Sequence, residues 1–122
     1  MTNSRIDLGK AGEDEAVSFL NKQGFKILER NYRCCYGEID IIAVEKGTIV
    51  FAEVKTRKTL TYGLPQAAVD FRKQRQLSKI AAHYIAEKRL KNTPARFDVV
   101  GISLLENETK IELIRNAFEM CL

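Results

Sequence analysis

The stretch Gly37-Glu38-Ile39-Asp40-Ile41-Ile42-Ala43-Val44-Glu45-Lys46-Gly47-Thr48-Ile49-Val50-Phe51-Ala52-Glu53-Val54-Lys55 reads as two β-strands joined by a tight turn. With Lys46 and Gly47 as a two-residue hairpin loop, residues facing each other across the strands have numbers summing to 93. Asp40 then faces Glu53 and Glu38 faces Lys55. Alternation along a strand places all four on one face. Ile39, Ile41 and Ala43, with Val50, Ala52 and Val54, make the other face apolar. Because Ile42, Val44 and Phe51 are apolar as well, both faces are expected to be covered, as in a central strand of an α/β sheet.

Two carboxylates set opposite each other repel, and something should offset that. Mg²⁺ typically takes one or two carboxylates and completes its shell with water and phosphate oxygens. Lys55 stands two residues from Glu53 on the same face, within reach of the same phosphate or of a metal-bound water. Phosphodiester hydrolysis needs such parts: a cation to polarise the phosphoryl oxygen and acidify water, and a lysine to stabilise developing charge. A solvated face on which Lys55 only neutralises two acids is the other reading of the same pattern.

Outward from this hairpin the elements follow in the order α-β-β-β-α-β-β. A helix over residues 4–23, stopped by Gly24, carries Gly9, Gly12/Glu13, Ala16/Val17 and Leu20 along its inward side. Glu13, on that side beside two glycines that permit close approach to the sheet, is a candidate for the site; pairing with a neighbouring base is the alternative. A strand from Phe25 to Cys34 precedes the hairpin, and residues 58–64 form a polar loop. Pro65 is placed to open a second helix reaching Arg89, with Val69, Leu77, Ile80/Ala81 and Tyr84/Ile85 buried. Asn92-Thr93-Pro94 ends it. Strands over 96–104 and 110–114 follow, around a turn at Glu106-Asn107-Glu108. The expectation is one domain over residues 1–122, an α/β fold with a mixed central sheet flanked by helices.

The net charge of +4 is unevenly spread. Residues 55–91 hold ten basic residues against Asp70 and Glu87, a net +8, which leaves −4 for the rest. Arg57, Lys58, Arg72, Lys73, Arg75 and Lys79 are candidate phosphate contacts giving salt-dependent, sequence-tolerant binding. Lys73 lies on the buried line of the second helix, where two outcomes are open: snorkelling outward or reaching the site. Tyr62 is a candidate for stacking on a splayed base, whereas Arg96 to Asp98 reads as structural. Cys34, Cys35 and Cys121 with the single His83 make a poor zinc set and are read as free thiols. No run approaches a membrane span, no signal peptide is evident, and the expected compartment is the cytoplasm.

Gly37-Glu38-Ile39-Asp40 followed by Glu53-Val54-Lys55 resembles the D…ExK core of the PD-(D/E)xK nuclease superfamily. The wider set resembles the YraN-like family of bacterial proteins over about nine-tenths of the chain. It comprises Gly9-Lys10-Ala11-Gly12-Glu13, Asn31-Tyr32-Arg33, Gly37 to Ala43, Val50 to Arg57, Lys73-Gln74 and Arg96-Phe97-Asp98-Val99-Val100. That family is similar to archaeal Holliday-junction resolvases. The resemblance implies a restriction-endonuclease-like αβββαβ core and a metal-dependent endonuclease acting on duplex or branched DNA. It further implies Asp40, Glu53 and Glu13 as ligands of Mg²⁺ or Mn²⁺, Lys55 as the catalytic lysine, and a homodimer. Ile39 stands where the superfamily has a proline. No small-molecule cofactor or membrane partner is expected. A non-catalytic nucleic-acid-binding module on the same fold is the alternative.

Overall fold

The computed structural model describes the backbone from residue 4 to 58 and, apart from residue 68, from 67 to 122. Tyr62 and Pro65 lie outside the described residues. The elements are α1 (Ser4–Lys22), β1 (Lys26–Cys34), β2 (Gly37–Glu45), β3 (Thr48–Arg57), α2 (Phe71–Glu87), β4 (Ala95–Leu104) and β5 (Thr109–Phe118). The five strands form one sheet in chain order, antiparallel throughout except for the parallel pair β3–β4. A parallel pair needs a crossover, and α2 lies within it.

The two helices cover opposite faces of the sheet. Leu77, Ile80, Ala81 and Tyr84 of α2 pack with Ile42, Ile49, Phe51, Phe97 and Val99. Ala16 and Leu20 of α1 pack with Ile41, Ala43, Val50, Ala52, Val100 and Ile102. Each such side chain removed from water stabilises the fold by roughly 1.5–3 kcal/mol, so two covered faces give this sheet a core on both sides. Among the described residues no helix is long and apolar enough to cross a membrane.

The β2–β3 hairpin has the expected register: Ile41 pairs with Ala52, Ile42 with Phe51, Ala43 with Val50, and Glu45 with Thr48. Lys46 (φ 50) and Gly47 (φ 80) both take the left-handed conformation that a two-residue hairpin loop demands. The ladder stops at the Ile41–Ala52 pair. Beyond it the strands part, and three expectations fail. Asp40 and Glu53 form no ladder pair and do not share a face, since Asp40 turns to the α1 side and Glu53 to the α2 side. Glu38 does not face Lys55; it pairs across β1 with Arg33 at 2.6 Å. Nor does Ile39 share a face with Ile41, for Ile39 belongs to the α2 core and Ile41 to the α1 core.

The cause lies in the neighbouring strand. Asn31 sits between the Arg30–Ile41 and Tyr32–Ile39 pairs with φ at 53. A left-handed residue inside a strand makes alternation slip by one, and asparagine tolerates that conformation better than most residues. Arg30 and Asn31 accordingly both reach Glu13 on the α1 side. In β2 the slip falls on Asp40 and Ile41, which are both turned to that side.

Helix α2 starts later than expected. Asp70 caps it, its carboxylate accepting from the Lys73 N–H at 2.8 Å. A side-chain acceptor for an orphan helical N–H is a stronger start signal here than Pro65. The helix ends at Glu87, where Arg89 (φ 57) turns the chain and the Leu90 N–H donates back to the Ile85 carbonyl at 2.9 Å. Strand β5 runs on to Phe118, four residues beyond its expected end.

Gly12 is where α1 touches the sheet. A Cβ there would sit 2.7 and 2.8 Å from Cγ2 and Cβ of Thr56 and would collide with its Oγ1. Gly9 faces open space instead, so close approach depends on Gly12 alone. Gly12→Ala should lower stability by about 1–3 kcal/mol through overpacking. Gly9→Ala should be neutral or gain up to about 1 kcal/mol in helix propensity. Urea denaturation of both variants checks this, and equal behaviour of the two would refute the contact.

Candidate metal and phosphate site

The site occupies the gap where β2 leaves β3. Once the ladder has ended, the Val54 N–H of β3 has no strand acceptor from β2. Oδ2 of Asp40 takes it at 2.8 Å. This bond explains why the Asp40 carboxylate turns into the gap rather than out to solvent, since a buried N–H left unpaired costs about 1–3 kcal/mol. From the gap Asp40 reaches two ways. It lines a cavity of about 330 Å³ with Leu8, Gly9, Glu13, Val54 and Thr56, and it lies near enough to Glu53 for the charge of that carboxylate to act on it.

Glu53 projects from the α2 face of β3, its side chain only 7% exposed. Two ammonium groups flank its Oε2: Lys55 Nζ at 3.6 Å and Lys73 Nζ at 3.5 Å. Neither is at hydrogen-bond distance, and both lysines are about one-third exposed. Such pairs are worth only about 0–1 kcal/mol. The lysines therefore lose little by turning from Glu53 to a phosphate. Of the two readings of Lys73, the structure shows its ammonium turned toward Glu53 with a third of the side chain still exposed.

Two acids close together inside the protein cannot both ionise cheaply. Burial, followed by the charge of Glu53, pushes the Asp40 carboxyl up to about 7, against the pull of the Val54 N–H. A proton satisfies the pair below that pH. A divalent cation would satisfy it above, and two carboxylates are the donor set that Mg²⁺ takes along with waters and phosphate oxygens. Carboxylate oxygens are the donors a hard cation prefers.

Glu13 comes to the same cavity but is otherwise engaged. Its Oε1 accepts from Arg30 Nη2 at 3.0 Å, Arg30 Nε at 3.1 Å and Asn31 Nδ2 at 2.9 Å. Its side chain is 14% exposed, and Oε2 faces no donor among the described residues. Among the described residues, no three of Asp, Glu, His and Cys stand together as a metal-holding group. The structure thus brings Asp40 within the electrostatic reach of Glu53 and places Glu13 beside Asp40, tied to Arg30.

The basic candidates divide. Arg72, Lys73, Arg75 and Lys79, spaced along α2, line a depression of about 840 Å³ together with Tyr36, Asp70, Phe71 and Gln76. Lys73 links this depression to Glu53. Arg57 is half-buried and donates to Ser103 Oγ at 3.2 Å, while Lys58 is exposed just beyond β3; neither lines the depression.

Arg96 and Asp98 are structural, as their pattern predicted. Asp98 is fully buried and accepts from Arg96 Nε at 2.9 Å, Arg96 Nη2 at 3.1 Å and the Asn116 N–H at 3.0 Å. Glu45 and Arg115, which sequence reasoning passed over, complete this network through bonds of 2.6–3.0 Å. No local signal could have joined residues 70 positions apart. The three cysteines are free.

The model of an uncharacterised protein family, UPF0102, matches residues 12–102, a span that holds Glu13, Asp40, Glu53, Lys55, Lys73 and Asp98. Three bacterial UPF0102 proteins match almost end to end. The one from Syntrophus aciditrophicus is 54% identical over 112 residues, 92% of this chain and 88% of the relative. The one from Caldicellulosiruptor saccharolyticus is 49% identical over 117 residues, covering 94% and 99%. The one from Syntrophotalea carbinolica is 44% identical over 120 residues and covers 98% of each chain.

Proposed function

The chain belongs to the uncharacterised protein family UPF0102, and we propose that it is a metal-dependent endonuclease hydrolysing phosphodiester bonds of duplex or branched DNA. The observation that carries this reading is a pair of buried acids, Asp40 and Glu53, that oppose each other's ionisation, with two lysines 3.5–3.6 Å from Glu53. A like-charged buried pair is costly for the fold, and a structural role would favour an arginine partner over a second acid. The resemblance of Asp40…Glu53-Val54-Lys55 to the PD-(D/E)xK core supports the same conclusion.

In this reading Asp40 and Glu53 hold Mg²⁺ or Mn²⁺, which when bound polarises a phosphoryl oxygen and acidifies water. The chain's own residues do the rest. The Val54 N–H fixes the Asp40 carboxylate, and Lys55 and Lys73 hold the non-bridging oxygens of the scissile phosphate. Water adds to phosphorus and gives up a proton to solvent, the bridging P–O bond opposite it breaks, the leaving oxygen takes up a proton from solvent to become a hydroxyl, and the two ammonium groups stabilise the added negative charge. Arg72, Arg75 and Lys79 track the neighbouring phosphates. Glu13, beside Asp40, is the further ligand candidate.

Purified protein incubated with plasmid and branched DNA in Mg²⁺ or Mn²⁺, alongside Glu53→Gln, tests this. Cleavage by the wild type alone supports it. Equal cleavage by both proteins points to a contaminating nuclease, and binding with no cleavage under either metal leaves a nucleic-acid-binding module instead.

A further inference from the structure

The basic depression on α2 contains more than phosphate contacts. Two aromatic rings open into it: Phe71, 65% exposed, and Tyr36, 48% exposed. Neither has a place in either core. Tracking the backbone of a closed duplex requires cations only; an exposed phenyl ring in a charged groove adds nothing to that and costs solvation.

The positions of the rings are built into the fold. Tyr36 lies in the β1–β2 turn, which is pinned to α2 by the Gln76 Nε2 group donating to the Tyr36 carbonyl at 3.1 Å. Gly37 follows with φ at 130, its Cα so close to Gln76 that a side chain there would displace the amide. The Tyr36 ring is steadied edge-on against His83, centroids 6.3 Å apart. Phe71 opens the first turn of α2, five residues before Gln76. His83, which the Tyr36 ring meets, lies twelve residues beyond Phe71, roughly 18 Å along the helix axis, so the rings are two separate stacking positions along the depression. Arg72, Arg75 and Lys79 stand between and beside the rings, and Lys73 connects them to Glu53. Asp70, the one acid of the depression among the described residues, is occupied in capping the helix.

We infer that Tyr36 and Phe71 form a stacking platform for unpaired bases, so that the strand led to the Asp40–Glu53 pair is a single-stranded segment beside the duplex. This rests on the reading of the site as one for DNA. It narrows the substrate to DNA with unpaired bases, such as a single strand, an overhang or an opened branch point. Stacking on aromatic side chains tolerates any base, so no sequence preference follows from it.

The test uses the full chain in EDTA, where binding is read apart from cleavage, with labelled oligonucleotides of one length followed by fluorescence anisotropy. The wild type is expected to bind a single strand and an overhang duplex about tenfold or more tighter than a blunt duplex. Tyr36→Ala/Phe71→Ala should remove that preference and leave blunt-duplex affinity within about twofold. Tyr36→Trp/Phe71→Trp should retain it. A fluorescent adenine analogue in the unpaired strand should be quenched by the wild type and not by the alanine variant. Equal single-strand affinity of the wild type and the alanine variant, or a wild-type preference for blunt duplex, overturns the platform. A preference that persists where no metal supports cleavage keeps the platform and overturns the catalytic reading alone.

Discussion

Asp40→Asn is expected to abolish cleavage and at the same time to make the metal-free protein more stable at pH 8. The variant is nearly isosteric, and its amide oxygen still accepts from the Val54 N–H that Asp40 binds at 2.8 Å. What disappears is a charge facing Glu53. The sign of the pH dependence follows from the raised carboxyl. The folded protein holds this proton up to about pH 7, whereas an unfolded aspartate releases it near pH 4. Between those values the native state binds more protons than the unfolded one, so its stability falls as pH rises. Above pH 7 the full penalty, on the order of 4 kcal/mol, is present in the wild type and absent from the asparagine variant. Mg²⁺ or Mn²⁺ should return that stability to the wild type at pH 8 and do little for the variant. Cleavage should drop by about three orders of magnitude or more, the scale of losing a main charge-stabilising group. Thermal melts at pH 5 and pH 8, with and without metal, combined with a plasmid assay, decide this. A variant no more stable than wild type at pH 8 would show that the two acids do not oppose each other as described.

Much of this site could be read from residues 37–55 because hairpin geometry is local. Lys46-Gly47 sets the turn, the turn sets the register, and the register runs to Ile41–Ala52, one residue short of Asp40 and Glu53. The argument stops where a second strand intervenes. Nothing in Asp40 or Ile39 reveals that Asn31 is left-handed opposite them, and that conformation turns Asp40 toward α1 and parts Ile39 from Ile41. The Glu38–Lys55 pairing failed for the same reason. Lys73 could be placed on the inner line of α2 but not aimed, since whether a lysine snorkels or turns inward depends on what it meets. Here it meets Glu53. At the helix start, two local signals competed. Pro65 is favoured at a first helical position, yet Asp70 supplies the acceptor that α2 uses.

Asp98 shows, by contrast, what a structural carboxylate looks like in this protein, and Asp98→Ala is expected to be the most destabilising of these substitutions. The two aspartates are placed alike. Each stands where a ladder is interrupted, Asp40 beyond the Ile41–Ala52 pair and Asp98 at the shift between Phe97 and Val99. Each accepts a backbone N–H left over there, from Val54 and from Asn116. Their remaining partners differ. Asp98 receives two bonds from Arg96, and Glu45 closes the set by binding both Arg96 and Arg115. Arg115, then Arg96, hold the Glu45 carboxyl down at about 2 in spite of burial. The contribution of Glu45 to stability is therefore present above about pH 4.5 and is lost only as pH falls toward 2. Removing Asp98, itself fully buried, leaves the Arg96 guanidinium short of its partner and the Asn116 N–H without its acceptor. Breaking such a pair costs about 3–5 kcal/mol, a melting point lower by roughly 10–20 °C. Asp98→Asn keeps an acceptor for Asn116 and should lose about half as much. Neither change touches the gap between β2 and β3, so folded Asp98→Asn protein should still cut DNA at low temperature. A loss of cleavage in that variant with its fold intact would place Asp98 in the reaction and undo the division between the two aspartates.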